Sequence, residues 1–483
     1  NPTFRGMRHS LMRSFDDIYV LDLHGNSKKK ERSPDGGKDE NVFDIQQGVA
    51  IGIFVKRGQR GAHQPAVVRH AHLWGPRELF AGAGDTKQLV SGKYHWLAEH
   101  DITNTEWITL KPDKPFYLFM PQDIDLRAEY EQGWKVTDIF VTNNIGLTSG
   151  QDAKTVAYTF DEARKLASLF SLPEDVIEAI LYRPFDRRFI VYSKLVITRP
   201  RTEVMQHMLA GRNVALVTTR SVEIGRGWEH IFCASDLIQL HTVSLKEVNC
   251  FFPLYLYSNL GPNNRELFFT EVDISTTAPG GRRPNLSPAF IADMSARLDM
   301  QFVADGGGDL QTTFGPEDVF DYLYAVFHSP AYRARYAEFL KIDFPRLPLT
   351  TDADLFRALC GFGQRLVALH VMEAFGAALP SFPERGNNMV EKIEYRVTPD
   401  EPERGRVYIN AAQYFDGVPP RVWEFHVGGY QVCHKWLKDR KGRTLSYEDI
   451  NHYRRVAAAL AETITLMEQI DAAIEEHGGW PLR

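Results

Sequence analysis

The chain opens on a helical spacing of apolar residues and passes directly into strands. Met7, Leu11 and Met12 recur among Arg5, Arg8 and Arg13, so residues 3–14 are expected to form an amphipathic helix. Asp17-Ile18-Tyr19-Val20-Leu21-Asp22-Leu23 then reads as a strand. Residues 24–41, HGNSKKKERSPDGGKDEN, concentrate Lys, Gly, Pro, Asp and Asn, which is the chemistry of a charged loop. The apolar β pattern returns at Val42 to Ile45 and at Val49 to Val55. Continuous apolar runs of this kind are expected to be buried on both faces, so the opening reads as the edge of an α/β sheet. From 56 to 150, short strands at 66–68, 107–110 and 116–119 alternate with turns.

Helical spacing resumes at Phe160, Ala163, Ala167 and Phe170, and a short helix is expected over 173–181, with Glu174 and Asp175 in its first turn. Further helices are expected over 317–327, 332–340 and 352–378. The β pattern returns over 392–433, including 423–427, and a basic turn follows at 435–443. The clearest element comes last: Ser446 is an N-cap with Asp449 three residues on, and Ile450, Tyr453, Ala457, Leu460, Ile464 and Met467 form one stripe.

Composition narrows the function classes. The 483 residues are 43% hydrophobic and 24% charged, which describes a folded chain able to bury several cores. A net charge of -6 excludes a globally basic nucleic-acid coat, so any polyanion site must be regional. One such region exists: from 182 to 226, nine basic residues, Arg183, Arg187, Arg188, Lys194, Arg199, Arg201, Arg212, Arg220 and Arg226, stand against Asp186, Glu203 and Glu223. The 4 cysteines, Cys233, Cys250, Cys360 and Cys433, are widely spaced without a CxxC pair. With no apolar leader or membrane-length run, a cytoplasmic protein with free thiols is expected. The first residue is Asn1 and not Met, and the opening reads as internal to a longer polypeptide.

No complete active site emerges. Asn1-Pro2-Thr3-Phe4 departs at Thr3 from the Asn-Pro-Pro-aromatic signature of amino-group methyltransferases and lacks the strand that should precede it. Gly82-Ala83-Gly84 and Gly306-Gly307-Gly308 lack the strand-before, helix-after setting of a dinucleotide loop, and Lys87 is not followed by Ser or Thr. His70 and His72 share one strand face and can pair on a metal, but no third ligand accompanies them at informative spacing, so no metal site is expected. What remains is recognition. Residues 182–201, YRPFDRRFIVYSKLVITRPR, interleave arginines with Tyr182, Phe185, Phe189 and Tyr192. That pairing fits guanidinium groups on phosphates or guanine edges with aromatics beside them, or equally a solvated face whose aromatics lie in the core. A second basic cluster, Lys435, Lys438, Arg440, Lys441 and Arg443, fits a phosphate grip or a solvated turn.

Several strings together resemble one family. MRHSLMRSFDDIYVLDLHGNSKKKE and DGGKDENVFDIQQGVAIGIFVK are similar to the late methyltransferase motifs of type ISP restriction-modification enzymes, single-chain bacterial DNA translocating nucleases that methylate adenine. YRPFDRRFIVYSKLVITRPR, FFPLYLY, YLYAVFHSPAYRARYAEFLKIDFPRLPL and GGYQVCHKWLKDRKGR resemble their carboxy-terminal specificity domain. The resemblance implies the edge of a methyltransferase-type, Rossmann-like sheet, then a mixed α+β target-recognition domain ending in a long helix. It divides the chain into a methyltransferase portion and connector (1–115), a recognition domain (116–390) and that domain's terminal β segment and helix (391–483).

The resemblance also assigns roles. Phe43 would stack on a flipped-out target adenine, with a core position beside Val42 and Ile45 as the other reading. Lys28, Lys29 and Lys30 would neutralise phosphate nearby, and Arg183, Arg187, Arg188, Arg199, Arg201, Arg220, Lys435, Lys438, Arg440, Lys441 and Arg443 would contact DNA. S-adenosylmethionine belongs to the intact enzyme, with its site and the Asn-Pro-Pro-aromatic motif upstream. This chain is therefore expected to hold no catalytic residue, to bind no cofactor, and to work as a monomer on double-stranded DNA. Two rivals stand beside this reading: a sugar hydrolase using acids of 230–320, and a protein-interaction or structural module built on the terminal helix, without a DNA role.

Overall fold

In the computed structural model, which describes residues 4–27, 31–57, 64–81, 88–114, 116–121, 123–222, 227–257, 281–398 and 400–482, the opening helix and strand form where the apolar spacing places them. Helix α1 spans Arg5–Ser14 and strand β1 spans Asp17–Asp22. Two compact units divide the chain, Asn1–Arg127 and Ala128–Arg483.

In the first unit, β2 (Ala50–Val55), β1, β3 (Val67–His72) and a strand at Ile108–Leu110 make one sheet. β1 runs parallel to β3 and antiparallel to β2, so β1 is interior and β2 lies at the edge. The expectation that β2 is buried on both faces does not hold: Ile51, Ile53 and Phe54 are all about 40% exposed, as an edge strand paired on one side allows. The core sits instead on β1 and β3, where Leu21, Leu23, Ala71 and Leu73 enclose Val42. No strand forms at 116–119, because Tyr117 takes a left-handed conformation (φ 49°) and Arg8 binds the carbonyls of Phe116 and Tyr117. A short hairpin, Leu79–Ala81 with Gln88–Ser91, leads into helix α2 (Lys93–Glu99).

The second unit holds several small sheets around a helical core. One sheet orders Leu237–Ile238, Ile177–Arg183, Asp186–Val191 and Val156–Ala157; another orders Ile231–Ala234, Ala215–Thr219, Asn249–Pro253 and Asn144–Ile145. Helices Pro316–His328, Ala353–His370 and Tyr447–Glu476 pack on one another. The last opens on a capping box in which Ser446 and Asp449 satisfy each other's backbone N–H groups, as their spacing predicts.

Three expectations are corrected. Residues 173–181 form one 3-10 turn, Glu174–Val176, and then a strand, because Ile177, Ile180 and Leu181 are claimed by pairing with Asp186–Val191 and Leu237–Ile238. The segment 423–427 is the end of a short helix, Pro420–Trp423, and a two-residue strand, His426–Val427. Lys435 and Lys438 lie on a helix, Val432–Asp439, whose Val432, Cys433, Trp436 and Leu437 are buried; only the residues after it turn. All four cysteines are free thiols, and no helix among the described residues is long and apolar enough to cross a membrane.

Candidate nucleic-acid interface

Phe43 stands out of the first unit, 58% exposed, while its neighbour Val42 is buried. The alternative of a core Phe43 is therefore excluded, and the reason lies in how the loop backbone is held. Four consecutive carbonyls each accept a side-chain hydrogen bond: Glu40 from Lys93 Nζ (2.6 Å), Asn41 from Arg77 Nε (2.6 Å), Val42 from the Tyr94 hydroxyl, and Phe43 from Arg77 Nη2 (2.8 Å). Arg77 closes on Asp44 Oδ1 at 2.7 Å, and the Phe43 N–H donates to Asn41 Oδ1 at 2.9 Å.

Beneath this loop, Lys93 Nζ also donates to the Leu23 carbonyl (2.6 Å) and pairs with Asp39 (2.7 Å). Asp39 in turn accepts the N–H groups of Gly25 and Gly75. Gly25 is required here: its φ is +79°, and a Cβ would lie 2.3 Å from Asn41 Cα. Peptide carbonyls accept most of these bonds and the Asp39, Asn41 and Asp44 side chains the rest, so an exposed aromatic is presented on a held backbone. The sequence alone singles out Phe43 by resemblance and gives no sign of Arg77, Lys93 and Tyr94, which hold its loop. No local spacing reveals them, because each acts across more than thirty residues. Lys28, Lys29 and Lys30 lie outside the described residues, as do Asn1-Pro2-Thr3, Gly82-Ala83-Gly84, Lys87, Glu223 and Arg226.

In the second unit the two basic segments divide into interior and surface groups. Arg188 and Arg440 both bind Asp186, Arg188 through Nη2 at 2.6 Å and Arg440 through Nη2 at 2.9 Å, and all three are buried. Burial alone would raise the Asp186 pKa, but the facing Arg440 and Arg188 charges outweigh it and hold the carboxyl below its ordinary value. The guanidinium groups of Arg188, Arg440 and Arg443 all face the Tyr158 ring, at 4.2, 5.0 and 4.2 Å. Arg183 is buried as well, over the Tyr182 ring at 4.1 Å and bonded to Gln239. Phe185 packs inside against Phe232 and His370. The interleaving of arginine and aromatic residues is thus largely an internal network. Arg183, Arg188 and Arg440 are withdrawn from solvent, because each guanidinium finds its carboxylate, amide or ring within the fold.

The remaining groups reach the surface. Arg187 is well exposed but forked onto Asp236 (2.7 and 3.2 Å), and Arg220 is exposed and bonded to Asp343 at 3.0 Å. Arg201 is half-buried, 4.0 Å from Glu203, in a left-handed conformation (φ 54°) that starts the helix Thr202–Leu209. Lys435 pairs with Asp439, and Arg443 with Glu162 at 2.6 Å. Arg199, Lys438 and Lys441 are exposed and make no ion pair among the described residues. These three carry uncommitted charge.

Residues 126–469 match the model of one protein family, the Type ISP C-terminal specificity domain. No curated protein matches the chain. Among solved structures the chain is similar to a DrdV–DNA complex, with 18% identity and a TM-score of 0.65 over 97% of this chain and 49% of that one. It is also similar to the ATP-dependent Type ISP restriction-modification enzyme LlaBIII bound to DNA (15% identity, TM-score 0.63, 96% of this chain and 31% of that one). A third is a nuclease-deletion mutant of the Type ISP enzyme LlaGI with a DNA substrate mimic (15% identity, TM-score 0.61, 96% and 37%). At these identities the likeness is one of fold, and the chain spans less than half the length of each.

Proposed function

The chain belongs to the Type ISP C-terminal specificity domain family, and from that premise we propose that it recognises DNA sequence for a restriction-modification enzyme that methylates adenine. The observation that carries the reading is the family match over most of the second unit, joined to an exposed Phe43 on a fixed backbone. In this reading residues 1–115 are the last strands of a Rossmann-like methyltransferase sheet; the parallel pairing of β1 with β3 supports it. A base drawn from the duplex loses its stacked neighbours, and Phe43 supplies a π face in their place. Arg199, Lys438 and Lys441 grip phosphate, and Arg187, Arg201, Arg220, Lys435 and Arg443 exchange their carboxylate partners for phosphate or base edges when DNA arrives.

S-adenosylmethionine, the methyl donor implied by the family, is assigned to no residue here. The one run of three glycines among the described residues, Gly306-Gly307-Gly308, is filled: the Gly308 N–H donates to Asp318 at 2.6 Å, and a Cβ on Gly308 would lie 2.3 Å from the Thr313 backbone. Such a turn leaves no open backbone N–H cradle there, and in this reading the chain by itself is catalytically silent. Duplex binding tests the proposal. Association at low salt should weaken with a linear dependence of log K on log salt as counterions are released. Binding that is absent, or that ignores salt, removes the DNA role.

A further inference from the structure

We infer that Asp22, His70 and His72 form a site for a divalent transition-metal ion of the Zn²⁺ type, at the carboxyl ends of β1 and β3. The sequence shows only two of its donors. The third lies 50 residues before its strand partner, and parallel pairing brings it in: Asp22 stands opposite His72, and Val20 opposite His70. Residues two apart on a strand share a face, so His70 and His72 meet Asp22 from one side. Ligand atoms of the three lie within 4.8 Å of one another.

Two independent features point to a ligand. His70 is 2% exposed, yet its Nδ1 has no hydrogen-bond partner. A buried polar atom left unpaired is costly and calls for an unseen partner. The second is a relay behind His72: Glu31 Oε1 lies 3.3 Å from His24 Nδ1, and His24 Nε2 lies 2.8 Å from His72 Nδ1. A carboxylate only accepts, so the His24 proton sits on Nδ1. His24 Nε2 then accepts from His72 Nδ1–H, and the bare lone pair of His72 is left on Nε2, the form that binds metal. Trp74 stacks on His24 at 3.3 Å and fixes that ring's plane. Two imidazoles and one carboxylate suit Zn²⁺ with one position left open, and His72 is exposed.

The ion would pin β1 to β3 one residue before Leu23, the carbonyl that anchors Lys93. The test uses the untagged full chain, stripped with chelator and titrated with Zn²⁺ and, for its visible absorption, Co²⁺. One equivalent per chain is expected, with a rise in the thermal midpoint of the first unit. Asp22→Asn and the exposed His72→Ala should each weaken binding by about tenfold or more, and His24→Ala by about 10–100-fold through loss of the relay. Circular dichroism of the metal-free variants should match the parent, which separates ligation from folding. Less than one equivalent bound, or undiminished binding in both Asp22→Asn and His72→Ala, overturns the site.

Discussion

Lys93 Nζ lies 2.7 Å from Asp39 Oδ1, and both side chains are fully withdrawn from solvent. The pair sits under the loop that presents Phe43, joined to it through the Glu40 carbonyl.

Removing one partner of a buried pair leaves the other charge uncompensated, at a cost of about 3–5 kcal/mol. Lys93→Met is therefore expected to destabilise the first unit by that amount in urea unfolding followed by tryptophan fluorescence. Adding Asp39→Asn should recover part of the loss, because no buried charge remains. A single-variant effect within about 0.5 kcal/mol, typical of a surface position, would show that the pair does not hold the loop.

Phe43→Ala should leave stability unchanged, since the ring is mostly in solvent. On DNA carrying an unpaired adenine it should cost about 1–3 kcal/mol, the range for one base stacked on an aromatic. Phe43→Trp should retain most of the affinity. Fluorescence anisotropy decides, and equal affinity for parent and alanine variant on the unpaired adenine would remove Phe43 from base contact.

The basic residues are expected to separate into two phenotypes. Arg199→Ala and Lys441→Ala should weaken binding on all sequences alike, each lowering the salt slope by about 1, with melting unaffected. Arg188→Ala should lower the melting temperature, because it breaks the buried contacts to Asp186. If Arg199→Ala or Lys441→Ala leaves the slope untouched, phosphate contact lies on another face.

Asp186 also sets an acid limit. Its folded pKa is depressed below that of the unfolded chain, so it contributes stability that is fully present above the unfolded value, about 3.9 for Asp. That contribution is lost as pH falls through the lower, folded value. Melting of the second unit should fall steeply below about pH 4 in the parent. In Asp186→Asn it should start lower at pH 7 and fall less; parallel curves for the two proteins would show that another carboxylate governs the transition.

Local grammar was legible from the chain; partners across long separations were not. The terminal helix was readable because Ser446 and Asp449 are three residues apart and their capping box is local. Residues 173–181 misled because Glu174 and Asp175 do start one turn, after which pairing with a strand that begins at Asp186 takes over. The fate of the arginines was hidden for the same reason: Arg440 meets Asp186 at a separation of 254 residues. Resemblance drew attention to Phe43, whereas Arg77, Tyr94 and Lys93, which hold its loop, carry no motif of their own.

The grip on residues 40–43 acts on main-chain oxygens, which every amino acid possesses. The side chain at position 43 can therefore be exchanged without rerouting the loop. A fluorescent or photo-crosslinking amino acid placed there would inherit the same orientation, giving an engineered probe of whatever approaches that face of the protein.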